Sequence, residues 1–166
     1  MIVLLLIVAA ISWHFSDAVL VPDHSDWTAS TRVEALPPGQ VVLARNEDAE
    51  RPGVYGLDWT GGHAIVGAVT AADADTVTRR LRAVRGYLAP EMDVGVEANV
   101  YAGDPERAFG LPSDEVKVPD ELGPMPAWSV PGRGNTWAIV VHGINGTPQE
   151  GLRLVPTLHR AGCRLC

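Results

Sequence analysis

The residues best placed to do chemistry are His142-Gly143-Ile144-Asn145-Gly146. They lie between a continuous apolar run, Trp137 to Val141, and a helix-start signal at Thr147-Pro148-Gln149-Glu150. Thr147 suits an N-cap, Pro148 the first helical position, and Glu150, three residues after Thr147, completes a capping box. A buried strand that feeds a glycine-bearing turn into a capped helix points backbone N–H groups at whatever occupies the turn. Such a turn can bind an oxyanion or a phosphate. The oxyanion reading is the stronger, because the loop has neither the lysine nor the glycine spacing of a phosphate-binding loop.

Other reactive residue types are scattered and carry less. Cys163 and Cys166 form a C-x-x-C at the end of the sequence, the spacing of a redox pair or of half a zinc site. No second Cys pair or suitably spaced Cys/His partner stands upstream, so the spacing reads as coincidence, with a terminal disulfide or metal contact as the alternative. His63 follows Gly61-Gly62 and reads as an ordinary hairpin residue. Asp93 with Glu97, and Asp104 with Glu106, read as solvated surface acids, since a catalytic carboxylate pair is defined by separation in space. Arg79, Arg80, Arg82 and Arg85 read as a solvated face balanced by Asp73 and Asp75, the alternative being a basic face toward anionic lipid. The sequence calls for no cofactor and no metal.

The elements that must position these residues follow from periodicity. Short strands are expected at Gln40 to Ala44, Gly53 to Trp59 and Ala64 to Thr70, with Gly61-Gly62 as a tight hairpin turn. Thr76 to Leu88 fits either period and reads as strand. In Met92 to Tyr101, Met92, Val94, Val96, Ala98 and Val100 share one face, the pattern of a half-buried strand. Asp104-Pro105-Glu106 starts a short helix that ends before Gly110. A short strand is expected at Glu115 to Val118. The turn at Pro131 to Asn135 predicts an antiparallel hairpin between Ala127–Val130 and Thr136–Val141. In the final helix Leu152, Val155 and Leu158 form a stripe, Pro156 should kink the last turns, and Gly162 should stop them.

Pro126-Ala127-Trp128, the proline-glycine turn, Thr136 to Gly143 and the helix after Thr147 resemble the beginning of an α/β-hydrolase domain. From its N-terminal apolar segment onward the chain is similar to bacterial α/β-hydrolase-like proteins that carry a membrane segment and a β-rich extension ahead of the hydrolase core. The resemblance implies an α/β fold: the truncated start of a hydrolase sheet, preceded by a β-rich extension and an N-terminal apolar helix. It implies that His142, Gly143 and Ile144 belong to an oxyanion-hole loop in which the Ile144 N–H faces the developing charge, a donor worth about 2.7–4 kcal/mol to a transition state. Family members place the nucleophile in a later G-x-S-x-G, followed by the acid and then the histidine. No G-x-S-x-G occurs here. His142 precedes the nucleophile's place and is therefore not the general base; its expected role is to hold the loop.

The resulting expectation is the N-terminal fragment of a membrane-associated acyl hydrolase, inactive alone, whether from a partial gene model, a frameshift or gene decay. A small-molecule acyl substrate would bind only with the rest of the core, and the isolated chain should be marginally stable or prone to aggregate. The rival is a membrane-anchored β-rich interaction module without enzymatic activity. In it Gln40 to Val118 does the binding and Thr136 to Gly162 is a packing unit.

Size and charge bound both readings. The chain has 166 residues, enough for one domain with a core, and a formal net charge of −7 that argues against a nucleic-acid partner. Met1 to Val21 is a borderline membrane span that would reach membrane lipid; a cleaved signal or a buried core segment are the alternatives. No Lys or Arg precedes Arg32 to fix its orientation, and the extracytoplasmic side is favoured for the remainder. The expected organisation is an anchor or signal-like segment at 1–21, a linker at 22–39, the β-rich extension at 40–125 and the hydrolase fragment at 126–166.

Overall fold

The structure, a computed structural model, describes residues 2–20, 28–143 and 146–166. Its centre is a closed barrel of six strands: β1 (Thr31–Ala35), β2 (Gln40–Ala44), β3 (Tyr55–Trp59), β4 (Gly62–Ala72), β5 (Thr76–Arg85) and β6 (Asp93–Glu97). Around the barrel they run β1-β2-β5-β4-β3-β6, every neighbouring pair is antiparallel, and β6 returns to β1. Closure leaves no sheet edge, which is how a small all-β unit avoids a row of unpaired backbone groups.

The barrel forms because alternate residues of each strand are apolar and point inward. Val33, Val41, Leu43, Leu57, Val66, Val77, Val94 and Val96 are all buried in one cluster. Burial of such side chains is worth about 1.5–3 kcal/mol each, enough to orient every strand. The β3–β4 turn needs Gly61, whose φ is +83°, because a β-carbon is disfavoured there. Gly56 is required for another reason: a β-carbon would collide with the carbonyl oxygen of Asn99, in the segment that crosses this strand. Register shifts between His63 and Ile65, Val66 and Val69, and Val69 and Ala71 bend the long β4–β5 pair. Helix α1 (Ile2–Leu20) precedes the barrel, and the short α2 (Glu47–Glu50) adds buried Ala49 to its core.

A second, smaller unit follows. It comprises α3 (Pro105–Phe109), an antiparallel ribbon of β7 (Asp114–Val118) and β8 (Met125–Ser129), strand β9 (Trp137–Ala138), a 3-10 segment (Pro148–Arg153), α4 (Val155–Arg160) and β10 (Arg164–Leu165). Strands β9 and β10 run parallel. Val130, Leu152, Val155 and Leu165 form its core, with Phe109, Trp128 and Leu158 packed against them.

Several expectations are corrected. The α/β fold class, and with it the hydrolase-like start, is overturned: the chain is organised by a closed antiparallel barrel, and among the described residues parallel pairing is limited to two residues on each of β9 and β10. The hairpin between 127–130 and 136–141 does not form. β8 pairs with β7 instead, because the intervening prolines and Gly123 return the chain antiparallel along Asp114–Val118. The final helix divides at Leu154, where Pro156 occupies the first turn of α4, a position that costs no hydrogen bond. Strand β1 lies inside the segment read as a linker, with Val33 wholly buried.

The membrane span is corrected as well. Among the described residues no helix is long and apolar enough to cross a membrane. In α1 the unbroken apolar run ends at Ile11, about 15 Å of helix at 1.5 Å per residue. A bilayer core is about 30 Å thick, and Ser12, His14, Ser16 and Asp17 interrupt the remainder.

Candidate functional site

The second unit holds an open apolar groove of about 260 Å³ between the β7–β8 ribbon, the chain continuing from β9, and the 3-10 segment with α4. Val118 and Met125 line it from the ribbon, Ile139 and Val141 from the β9 side, Leu152 and Val155 from the helical side. Leu152 and Val155 are buried, whereas Ile139 is 74% and Val141 81% exposed. A run read from the sequence as a buried strand is therefore open on one face. The barrel's long strands satisfy their apolar faces inside the barrel, and the second unit has too few elements to cover β9.

His142 lines this groove and is exposed, with its Nδ1 3.0 Å from the Gly143 carbonyl oxygen. An acceptor at that distance makes Nδ1 the donor. The Gly146 N–H donates to the same carbonyl at 3.0 Å. Ile144 and Asn145, and with them the expected oxyanion donor, lie outside the described residues. Thr147 precedes the 3-10 segment in extended conformation but makes no side-chain cap bond. Its hydroxyl accepts instead from Asn99 Nδ2 at 3.4 Å, which ties the loop to the segment leaving β6. Arg153 strengthens that joint by donating to the carbonyls of Val54 (3.2 Å) and Ala98 (2.6 Å).

The cysteines do not pair. Both thiols are free and they flank β10; Cys166 lines the groove while Cys163 packs with the second core. Positions three apart across a strand face opposite sides. Among the described residues no group of His, Cys, Asp and Glu is arranged to hold a metal ion. The carboxylates have structural partners: Asp93 accepts from Arg32 Nε at 3.2 Å, and Asp104 caps α3 by accepting the Arg107 N–H at 2.8 Å.

Two buried polar groups sit in the barrel. His63 bridges Asp58 Oδ1 (2.5 Å, through Nδ1) and the Val100 carbonyl (3.1 Å, at Nε2), fastening the β3–β4 hairpin to the chain that leaves the barrel. Arg79 is wholly buried, and among the described residues no carboxylate pairs with it. Its guanidinium donates to the carbonyls of Gly67, Ala49, Arg51 and Gly53, each at 2.9 Å, and stacks 5.5 Å from the Tyr55 ring centroid. Burial lowers its pKa from the ordinary arginine value, partly offset by Tyr55. Arg79 thus leaves the expected basic face, on which Arg80, Arg82 and Arg85 remain exposed. The signal was its parity: Val77, Arg79 and Leu81 share the inward face of one strand.

Compared with known proteins, residues 32–97 match the family described as Domain of unknown function (DUF8805). The match begins in β1 and ends at the last residue of β6, so it coincides with the barrel, and the groove lies beyond it. No curated protein matches the chain. Hydrolase and transmembrane assignments find no support in these matches.

Proposed function

We propose that this chain is a non-catalytic interaction module: the barrel is a rigid base, and the groove of the second unit receives an apolar polypeptide segment. The observation that carries the reading is the exposure of Ile139 and Val141, beside Val118 and Met125, in one groove of about 260 Å³. Contiguous exposed apolar surface of this kind is costly in water and marks a place where another apolar surface docks. The groove's wall carries a single ionisable ring, His142, and is otherwise built of aliphatic, proline and backbone surface with Trp128 and Cys166. That lining suits packing against side chains better than it suits proton transfer. This reading assigns binding to the second unit, whereas the rival reading of the sequence had assigned it to Gln40 to Val118.

The test is a titration of the methyl-labelled protein, at low concentration, with a valine- and isoleucine-rich decapeptide carrying terminal lysines for solubility. The methyl signals of Val118, Met125, Ile139 and Val141 should shift together, and Met125→Asp, a change on the exposed ribbon, should weaken binding at least tenfold. Shifts confined to the barrel, or none at the groove, would refute the reading.

A further inference from the structure

The free side of β9 specifies what kind of segment the groove receives. Toward β10, the strand and its continuation bond through alternate residues only: Arg164 N–H to Thr136 O at 2.9 Å, Cys166 N–H to Ala138 O at 3.0 Å, and Val140 N–H to Cys166 O at 2.8 Å. In an extended chain the residues between these direct their N–H and C=O groups the other way. Those residues are Trp137, Ile139 and Val141, and among the described residues none of their backbone groups has a partner on that side. Their side chains are also the exposed ones, at 54%, 74% and 81%. An apolar face and an unsatisfied hydrogen-bonding edge therefore coincide on five consecutive residues, which is the arrangement that accepts an added strand.

We infer that the segment received is the same strand of a second copy of this chain, added antiparallel about Ile139. The inference rests on the groove reading. Three properties favour a copy over an unrelated strand. First, the register about Ile139 sets Ile139 opposite Ile139 and Trp137 opposite Val141, so each unpaired donor meets an unpaired acceptor in about six backbone hydrogen bonds. Second, Thr136 to Val141 contains no charged residue, so the seam opposes no like charges even though each chain carries −7. Third, the exposed side chains of Trp137, Ile139, Val141, Val118 and Met125 give each copy apolar surface for the other to cover. The product is one continuous sheet running through both second units, with the two barrels outside it.

Sedimentation of the whole chain across a concentration series, combined with amide hydrogen exchange, tests this. A monomer–dimer equilibrium is expected that tightens as salt screens the two negative chains. The amides of Trp137, Ile139 and Val141 should gain protection with concentration, while that of Val140 stays protected throughout. Ile139→Pro removes only the outward N–H and keeps the bonds to β10, as edge positions allow. It should weaken association at least tenfold, whereas Ile139→Leu should not. A chain that stays monomeric at all concentrations, or a dimer that survives Ile139→Pro with the three edge amides exchanging freely, overturns the inference. In the first case, groove methyls that still shift with the decapeptide would leave the groove reading standing; in the second, the contact lies elsewhere, for example on the exposed apolar side chains of α1.

Discussion

Arg79 shows how one residue can decide the local architecture. Its guanidinium replaces water for four carbonyls, three of which, those of Ala49, Arg51 and Gly53, belong to α2 and the chain following it. A carboxylate partner would have neutralised the charge. Here carbonyl dipoles and the Tyr55 ring do so, and the planar fork reaches all of them at once. Lysine, with one ammonium, cannot. Arg79→Lys should therefore destabilise the fold by about 2–4 kcal/mol, read as a lower urea midpoint, with the loss in the unfolding free energy larger than for Arg80→Lys on the exposed side of the same strand. Equal losses would mean the buried network contributes nothing. The inward parity of Arg79 was visible in the alternation of β5, but its acceptors come from residues 26 to 30 positions away in sequence and from Gly67 across the hairpin. No spacing rule connects them.

At the scale of elements, the β4–β5 connection shows local chemistry that sequence does carry. Asp73 Oδ1 accepts the backbone N–H groups of Asp75 (2.9 Å) and Thr76 (2.7 Å), and Oδ2 accepts the Thr76 hydroxyl (2.9 Å). These bonds, backbone ones first, hold the Asp73 carboxyl below its ordinary value of 3.8. A carboxyl with a depressed folded pKa contributes stability that is fully present above 3.8 and is lost as pH falls through the lower folded value. Urea midpoints measured from neutral pH down to about pH 2 should fall less steeply with acidification in Asp73→Asn than in the parent. Parallel slopes would remove the turn from the acid response. The strands at 40–44, 55–59 and 62–72 were legible because alternation and Gly61 are local signals. The 3-10 break at Leu154 was not, since a proline at the first turn of one helix and one inside a longer helix look alike in sequence.

For the whole molecule, the two cores differ in size and so should differ in stability. Among the described residues the barrel buries eleven core residues in one cluster, the second unit four. Apolar burial dominates the favourable side of folding, so the second unit should open at lower free energy than the barrel. Native-state hydrogen exchange should show the amides of Leu57 and Val66 exchanging only through global unfolding, and those of Val130 and Leu165 through a partial opening. A single opening free energy for all four would mean the units unfold together. Arg153 and Asn99 bridge the two units, and their contacts set how far the two openings are coupled.

By itself the sequence determined most of the strands of the barrel after β1, the tight turn at Gly61-Gly62, the short capped helix at Asp104, and that the chain is acidic. These follow from side-chain alternation, backbone preferences and formal charge, all of which act over a few residues. It did not determine how the strands close. The same short strands serve an open α/β sheet or a closed barrel, and β6 returning to β1 depends on contacts about sixty residues apart, between Thr31–Arg32 and Asp93–Val94. Tertiary structure alone decided that His142 borders an apolar groove, and that, among the described residues, the outward edge of Trp137, Ile139 and Val141 is left open. The reason is physical: whether a strand edge is satisfied depends on which other strands reach it, and that is a property of the packed chain.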